Sequence, residues 1–151
     1  MKVIKILITF GLILIILLNI FRTDTHKNYN MTWKIDIPNP NKTKRIIDSG
    51  HIDPTILDIL YYDSNDIKVI KDKDYMKKID IVELNEIFDN ILEEKFIAFL
   101  NEEDKNTLKK LNINKLINEN NYYTFIEEKQ DFILLILDVE ENVIYSFRSY
   151  S

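Results

Sequence analysis

The sequence predicts an α+β fold: an N-terminal membrane helix followed by one domain, whose mostly antiparallel sheet ends in a three-stranded meander and is covered by helices. Three observations predict it. A nearly unbroken apolar run lies at residues 6–21, amphipathic helical periods fill the middle, and three strand patterns joined by hairpin-length links close the chain.

Ile6 to Phe21 reads ILITFGLILIILLNIF, broken only by Thr9, Gly11 and Asn19. With Val3 and Ile4 added and Lys5 free to snorkel, it approaches the roughly 20 residues of a bilayer span. It has no polar face, which suits a spanning helix rather than one lying in the interface. Asn19 to Thr25 offers no small-residue cleavage pattern, so a retained signal anchor over residues 1–21 is expected. An anchor placed where an export signal would stand predicts a cell membrane crossed once, with the following domain extracytoplasmic. The lysines at 2 and 5 face Arg22, Lys27 and Lys34 across the run, so the charge bias is shallow.

Residues 22–30 (RTDTHKNYN) are polar and aperiodic and read as a tether, leaving 31–151 as an acidic α+β domain. Thr32 to Ile37 alternates polar and apolar before Pro38-Asn39-Pro40, which predicts a strand and a turn. Lys44 to Ser49 predicts a second extended piece, and Thr55 to Tyr62 (TILDILYY) a third. Ser64 is placed to cap a helix carrying Ile67 and Ile70 on one face. Leu84, Ile87, Phe88, Ile91 and Leu92 form an apolar stripe opposite Asn85, Glu86, Asp89 and Asn90, the clearest helical period in the chain. Asn101 is placed as the N-cap of a further helix, with acids at its start and Lys109 and Lys110 at its end. A helical turn is expected near Lys115–Asn118. Tyr122–Glu127, Phe132–Val139 and Val143–Tyr150 then read as the meander, its continuously apolar middle strand lying centrally.

Composition narrows the function. Residues 22–151 hold all 25 acidic residues against 18 of the 20 basic ones, a net charge of −7. That sign repels a phosphate backbone at long range, so no nucleic-acid partner is expected. The absence of cysteine excludes disulfides, thiolate nucleophiles, thiolate metal sites and a lipid-modified cysteine. Ala98 is the lone alanine and Gly11 and Gly50 the only glycines, a bias resembling that of an AT-rich genome. Without a G-x-S-x-G or a glycine-rich phosphate loop, elbow-type ester hydrolysis, nucleotide hydrolysis and dinucleotide redox chemistry are disfavoured.

The candidate sites are few. His26 lies in the tether and reads as solvated. Asp48, His51 and Asp53 bracket a turn containing Gly50, and carboxylate oxygen with imidazole nitrogen suits zinc or manganese. No second histidine stands at ligand spacing, so the simpler reading is a turn in which Gly50 supplies an unusual φ and Asp48 and Ser49 bond the local backbone. Asp63-Ser64-Asn65-Asp66 fails as a calcium loop because Ile67 takes the fifth position, no glycine the sixth, and Asp74 the twelfth. Glu83, Glu86, Asp89, Glu93 and Glu94 read as a solvated helix surface, with no pair singled out for acid–base chemistry. Tyr61, Tyr62, Tyr122, Tyr123, Tyr145, Phe147 and Tyr150 either pack the sheet and its edges or form a binding face, and packing is the simpler account. No catalytic residue, metal or cofactor is assigned.

The apolar leader, Trp33 with Ile37-Pro38, the Asp48-Ser49-Gly50-His51 turn and the closing Leu137-Asp138 and Asn142-Val143-Ile144-Tyr145 strands together carry a resemblance. The chain resembles small uncharacterised membrane-anchored or lipoprotein-type proteins of AT-rich Gram-positive bacteria. The resemblance covers most of the chain, implies no activity and carries over no functional residue. The expected function is a membrane-anchored, non-enzymatic module that binds a protein partner, for instance a protector against a toxin. The alternatives are an envelope-acting hydrolase using His51 and nearby carboxylates, and a small structural subunit of a membrane complex.

Overall fold

The computed structural model describes residues 25–50 and 54–150. The expected anchor at residues 1–21 lies outside the described residues, and so do His51 and Asp53. Among the described residues, no helix is long and apolar enough to cross a membrane.

The chain divides into two compact units, residues 1–39 and 40–151. In the first, helix α1 runs Thr25–Trp33. Lys34 closes it at φ 56, its N–H bonding the Asn30 carbonyl at 3.1 Å while that of Ile35 reaches the Tyr29 carbonyl at 3.3 Å. This is a left-handed C-terminal closure. It corrects the strand expected at 32–37, since Thr32 and Trp33 complete the helix and no regular structure follows up to Pro40. Six alternating residues do not separate a strand from a helix end leading into Pro38 and Pro40, and a positive φ at Lys34 interrupts any extended run.

The second unit is α+β, with a six-stranded antiparallel sheet. Its strands are β1 (Lys42–Asp48), β2 (Thr55–Tyr61), β3 (Lys77–Lys78), β4 (Tyr122–Glu128), β5 (Asp131–Asp138) and β6 (Val143–Ser149). Their order is β1-β2-β6-β5-β4-β3, so the expected meander forms the middle of the sheet, with β5 lying centrally. Phe132 to Leu137 is buried without a break, as a strand covered on both faces must be. The meander's links are tight. Lys129 takes φ 61 in the two-residue β4–β5 loop, and the Asp138 carboxylate accepts the Glu140 and Glu141 N–H groups at 3.1 Å in the β5–β6 loop. At the β1 edge, Lys42, Lys44 and a register shift between Arg45 and Ile47 discourage pairing with another chain.

Helix α2 (Ser64–Lys71) buries Ile67 and Ile70 as expected. Its cap is Asp63 rather than the expected Ser64. The Asp63 Oδ1 accepts the Asn65 and Asp66 N–H groups at 2.8 and 3.0 Å. A carboxylate adds charge complementarity at the positive helix end that a hydroxyl lacks.

The main helical stretch comprises α3 (Ile81–Ile87), a π-turn at Phe88–Leu92 and α4 (Glu93–Lys95). The buried residues Leu84, Leu92 and Phe96 and the half-buried Phe88 recur every four positions. An α-helix turns every 3.6 residues, so that spacing would drift about 40° per turn. One wider turn, with the Glu93 N–H reaching back to the Phe88 carbonyl, absorbs the drift. Helix α5 (Glu102–Lys110) is capped by Asn101, whose side-chain oxygen accepts the Asp104 N–H at 2.9 Å, as its sequence position predicts. A 3₁₀ turn follows at Ile113–Lys115, slightly before the expected 115–118, entered through Asn112 at φ 50.

One sheet face carries Leu57, Phe132, Leu134, Ile136 and Phe147, which join Leu84, Leu92, Phe96, Leu100 and Leu108 in a single core. Phe96 is its aromatic hub, with ring centroids 5.5 Å from Phe147 and 6.4 Å from Phe132. Thr124 points to the other face, where its hydroxyl bonds the Tyr75 carbonyl and lies 3.2 Å from the Met76 sulfur. The segment after α2 therefore crosses that second face.

Candidate functional site

Two places in the second unit merit a functional reading, and they lie at opposite ends of the sheet. The β1–β2 turn follows Asp48 and precedes Thr55, next to Ser149 of β6. The other end is marked by Tyr61, its cross-strand partner Val143, and Asp138 beyond. Strands of seven residues set these ends about 20 Å apart.

At the first end the structure places one described member of the Asp48–His51–Asp53 set. Asp48 Oδ2 is 2.8 Å from an Arg45 guanidinium nitrogen. Arg45 also reaches Asp58 Oδ1 through Nε at 3.0 Å, and the buried Asp58 pairs in turn with the buried Arg148. The hydrogen bond from Arg45 to Asp58 raises the guanidinium pKa above its ordinary value against the opposing effect of burial, with the Asp58 and Asp48 charges adding to the rise. Among the described residues, the two arginines and two carboxylates of this cluster match in formal charge. The turn itself is held by one side-chain and one backbone bond between Ser49 and Thr55. Gly50 has φ +148, the Ser49 Oγ accepts the Thr55 N–H at 2.9 Å, and the Ser49 N–H bonds the Thr55 carbonyl at 3.0 Å. Gly50 and Ser49 thus act as a turn requires, while Asp48 turns to Arg45 instead of the local backbone. Among the described residues, no group of three histidine, cysteine, aspartate or glutamate side chains could hold a metal ion.

At the second end is a cleft of about 750 Å³. Its floor is the cross-strand pair Ile59 and Tyr145 with Tyr61 and Val143 beside it. Leu111 and Lys115, after α5, make one wall, and the loop from Asp138 to Glu141 makes the other. Asn121 fixes the two walls together. Its buried side chain donates to the Leu116 carbonyl at 3.2 Å and accepts the Val139 N–H at 3.2 Å, and its backbone carbonyl receives the Ile79 N–H at 3.1 Å. An amide that both donates and accepts is needed there, which explains Asn in a run where surface asparagines are plentiful.

No protein-family model, curated protein or solved structure matches this chain. The site therefore has to be read from its own chemistry.

Asp138, Glu140 and Glu141 face Lys115 across the cleft, a local formal charge of −2. Burial raises the Tyr145 phenol above its ordinary pKa, and the neighbouring Asp138, Tyr61 and Glu141 add to the rise. These causes place the phenol among groups that resist further negative charge. The cleft offers hydrogen-bond acceptors, two aromatic rings and negative potential.

Tyr61 and Tyr145 stood in the aromatic set as a binding face or as packing, and the fold divides that set. Phe147 and Tyr123 go into the core, whereas Tyr61 and Tyr145 are half-buried along the cleft. Asp138, Glu140, Glu141, Lys115 and Asn121 were missed. The signal was three acids within the four-residue stretch Asp138–Glu141, where the sequence reads Asp138 as part of the strand Phe132–Val139 and Glu140–Asn142 as a polar hairpin link.

Proposed function

We propose that this chain is a non-enzymatic protein-interaction module, held at a cell membrane by residues 1–21 and presenting its acidic domain on the extracytoplasmic side. A protector that binds a toxin or an envelope component is the version favoured by the charge and the anchor sequence. The observation that carries the interaction reading is the cleft at the Asp138–Glu141 end of the sheet, where a loop tied by Asn121 presents acceptors beside the Tyr61 and Tyr145 rings at a concave surface. The pairing of Asp48 with Arg45 weighs against a hydrolase built on Asp48, His51 and Asp53.

The test uses the full chain in its native membrane, carrying a photoreactive amino acid at Glu140, which is exposed at the cleft rim. A discrete protein adduct is the expected product, together with digestion of the domain by protease added outside intact cells. Turnover of a cell-wall substrate without any protein adduct would remove the interaction reading. Recovery of the intact chain from the soluble fraction would remove the anchor.

A further inference from the structure

We infer that the cleft between the Asp138–Glu141 loop and the Leu111–Lys115 wall is a receptor for a cationic side chain, a lysine ammonium or arginine guanidinium on a basic segment of a protein partner. The inference rests on the proposed interaction function and names the chemistry its partner presents.

Three observations converge. The cleft's charge is uneven, with Asp138, Glu140 and Glu141 set against Lys115, and a concave wall focuses that negative potential more than a flat surface does. Its floor places the Tyr61 and Tyr145 rings beside those carboxylates, and an aromatic face attracts a cation through its quadrupole. The chain also supplies its own example of the ligand. The Lys42 ammonium, outside the cleft lining, lies over the Tyr61 ring at 5.7 Å from its centroid, an alkylammonium held against a tyrosine that also borders the cleft.

The geometry excludes simpler occupants. An anion would meet three carboxylates. A metal ion would need three converging ligand side chains, and no such group occurs among the described residues. A purely apolar ligand would leave the negative potential of the loop unmatched. A cationic side chain with an aliphatic stem satisfies the whole lining, its stem lying on Ile59 and Val143 and its charged head reaching the loop.

The test measures binding of a fluorescent peptide of alternating lysine and glycine to the detergent-solubilised full chain, beside the same peptide with every lysine acetylated. The amine peptide binds more tightly than the acetylated one. The double variant Glu140→Gln/Glu141→Gln loses about fivefold or more in affinity, whereas Glu86→Gln/Asp89→Asn, an equal change of charge on the exposed helix surface, stays within about twofold. Glu140 and Glu141 are exposed, and a matching urea transition shows that the variant is folded. Equal losses in the two double variants would reduce the effect to net charge and overturn the inference. Equal affinity for the amine and acetylated peptides would overturn it too. If the photoreactive residue at Glu140 still captured a protein in that case, the interaction function would stand and only the cationic ligand would fall.

Discussion

A single carboxylate, Asp58, joins the β1 edge to β6. It accepts from Arg45 at 3.0 Å and pairs with Arg148, and both Asp58 and Arg148 are buried. Removing one partner of a buried pair strands the other charge, so Asp58→Ala should lower stability by about 3–5 kcal/mol in urea unfolding. Arg45→Ala should cost no more than about 1 kcal/mol, because that side chain is half exposed and screened. Similar losses for the two would show that Arg45 carries the cluster. Tyrosines give a second prediction at this scale. Burial raises the Tyr145 phenol, and burial followed by the Glu83 and Asp80 charges raises that of Tyr123. A raised folded-state pKa means the folded chain holds the proton more tightly. Its contribution is fully present below the unfolded phenol value of about 10 and is lost as pH rises from there towards the folded value. Stability should therefore fall from about pH 10 upward, and Tyr145→Phe should flatten that fall. An unchanged slope in the variant would assign the effect elsewhere.

At the scale of elements, the π-turn at Phe88–Leu92 makes a prediction that a regular helix would not. Deleting the exposed Asn90 shortens the interval from Leu84 to Phe96 to eleven residues, close to three α-helical turns. The helix should become regular with both residues still facing the core, at a cost below about 2 kcal/mol in urea unfolding. Leu84→Ala should cost about 2–5 kcal/mol by the same measurement. A deletion as damaging as the cavity would mean that the wide turn itself is required. Asn101 and the stripe from Leu84 to Leu92 were legible in the sequence because caps and periods are local rules. The π-turn was not, since apolar residues at i, i+3, i+4, i+7 and i+8 fit a plain helix equally well until Phe96 is seen to share their core. The strand expected at 32–37 failed for the same reason. Polarity alternated, but the backbone at Lys34 had already turned to φ 56.

Across the whole molecule, Phe96, Phe132 and Phe147 bind the helical layer to the central strands. Phe96→Ala should lower stability by about 3–5 kcal/mol, the largest loss expected among single truncations on the helical side. A loss below about 1 kcal/mol would place the core's weight elsewhere. The sequence by itself determined the α+β class, the meander with its apolar middle strand, the Asn101 cap and the negative charge of the domain. Each follows from neighbours along the chain, from period, composition or a side chain reaching its own backbone. Only the tertiary structure decided the strand order β1-β2-β6-β5-β4-β3, the Arg45–Asp58–Arg148 ion-pair cluster and the cleft. These depend on which residues distant in sequence become adjacent in space. Asp58 and Arg148 stand 90 positions apart, and Tyr61 meets Val143 through a pairing that no local pattern encodes.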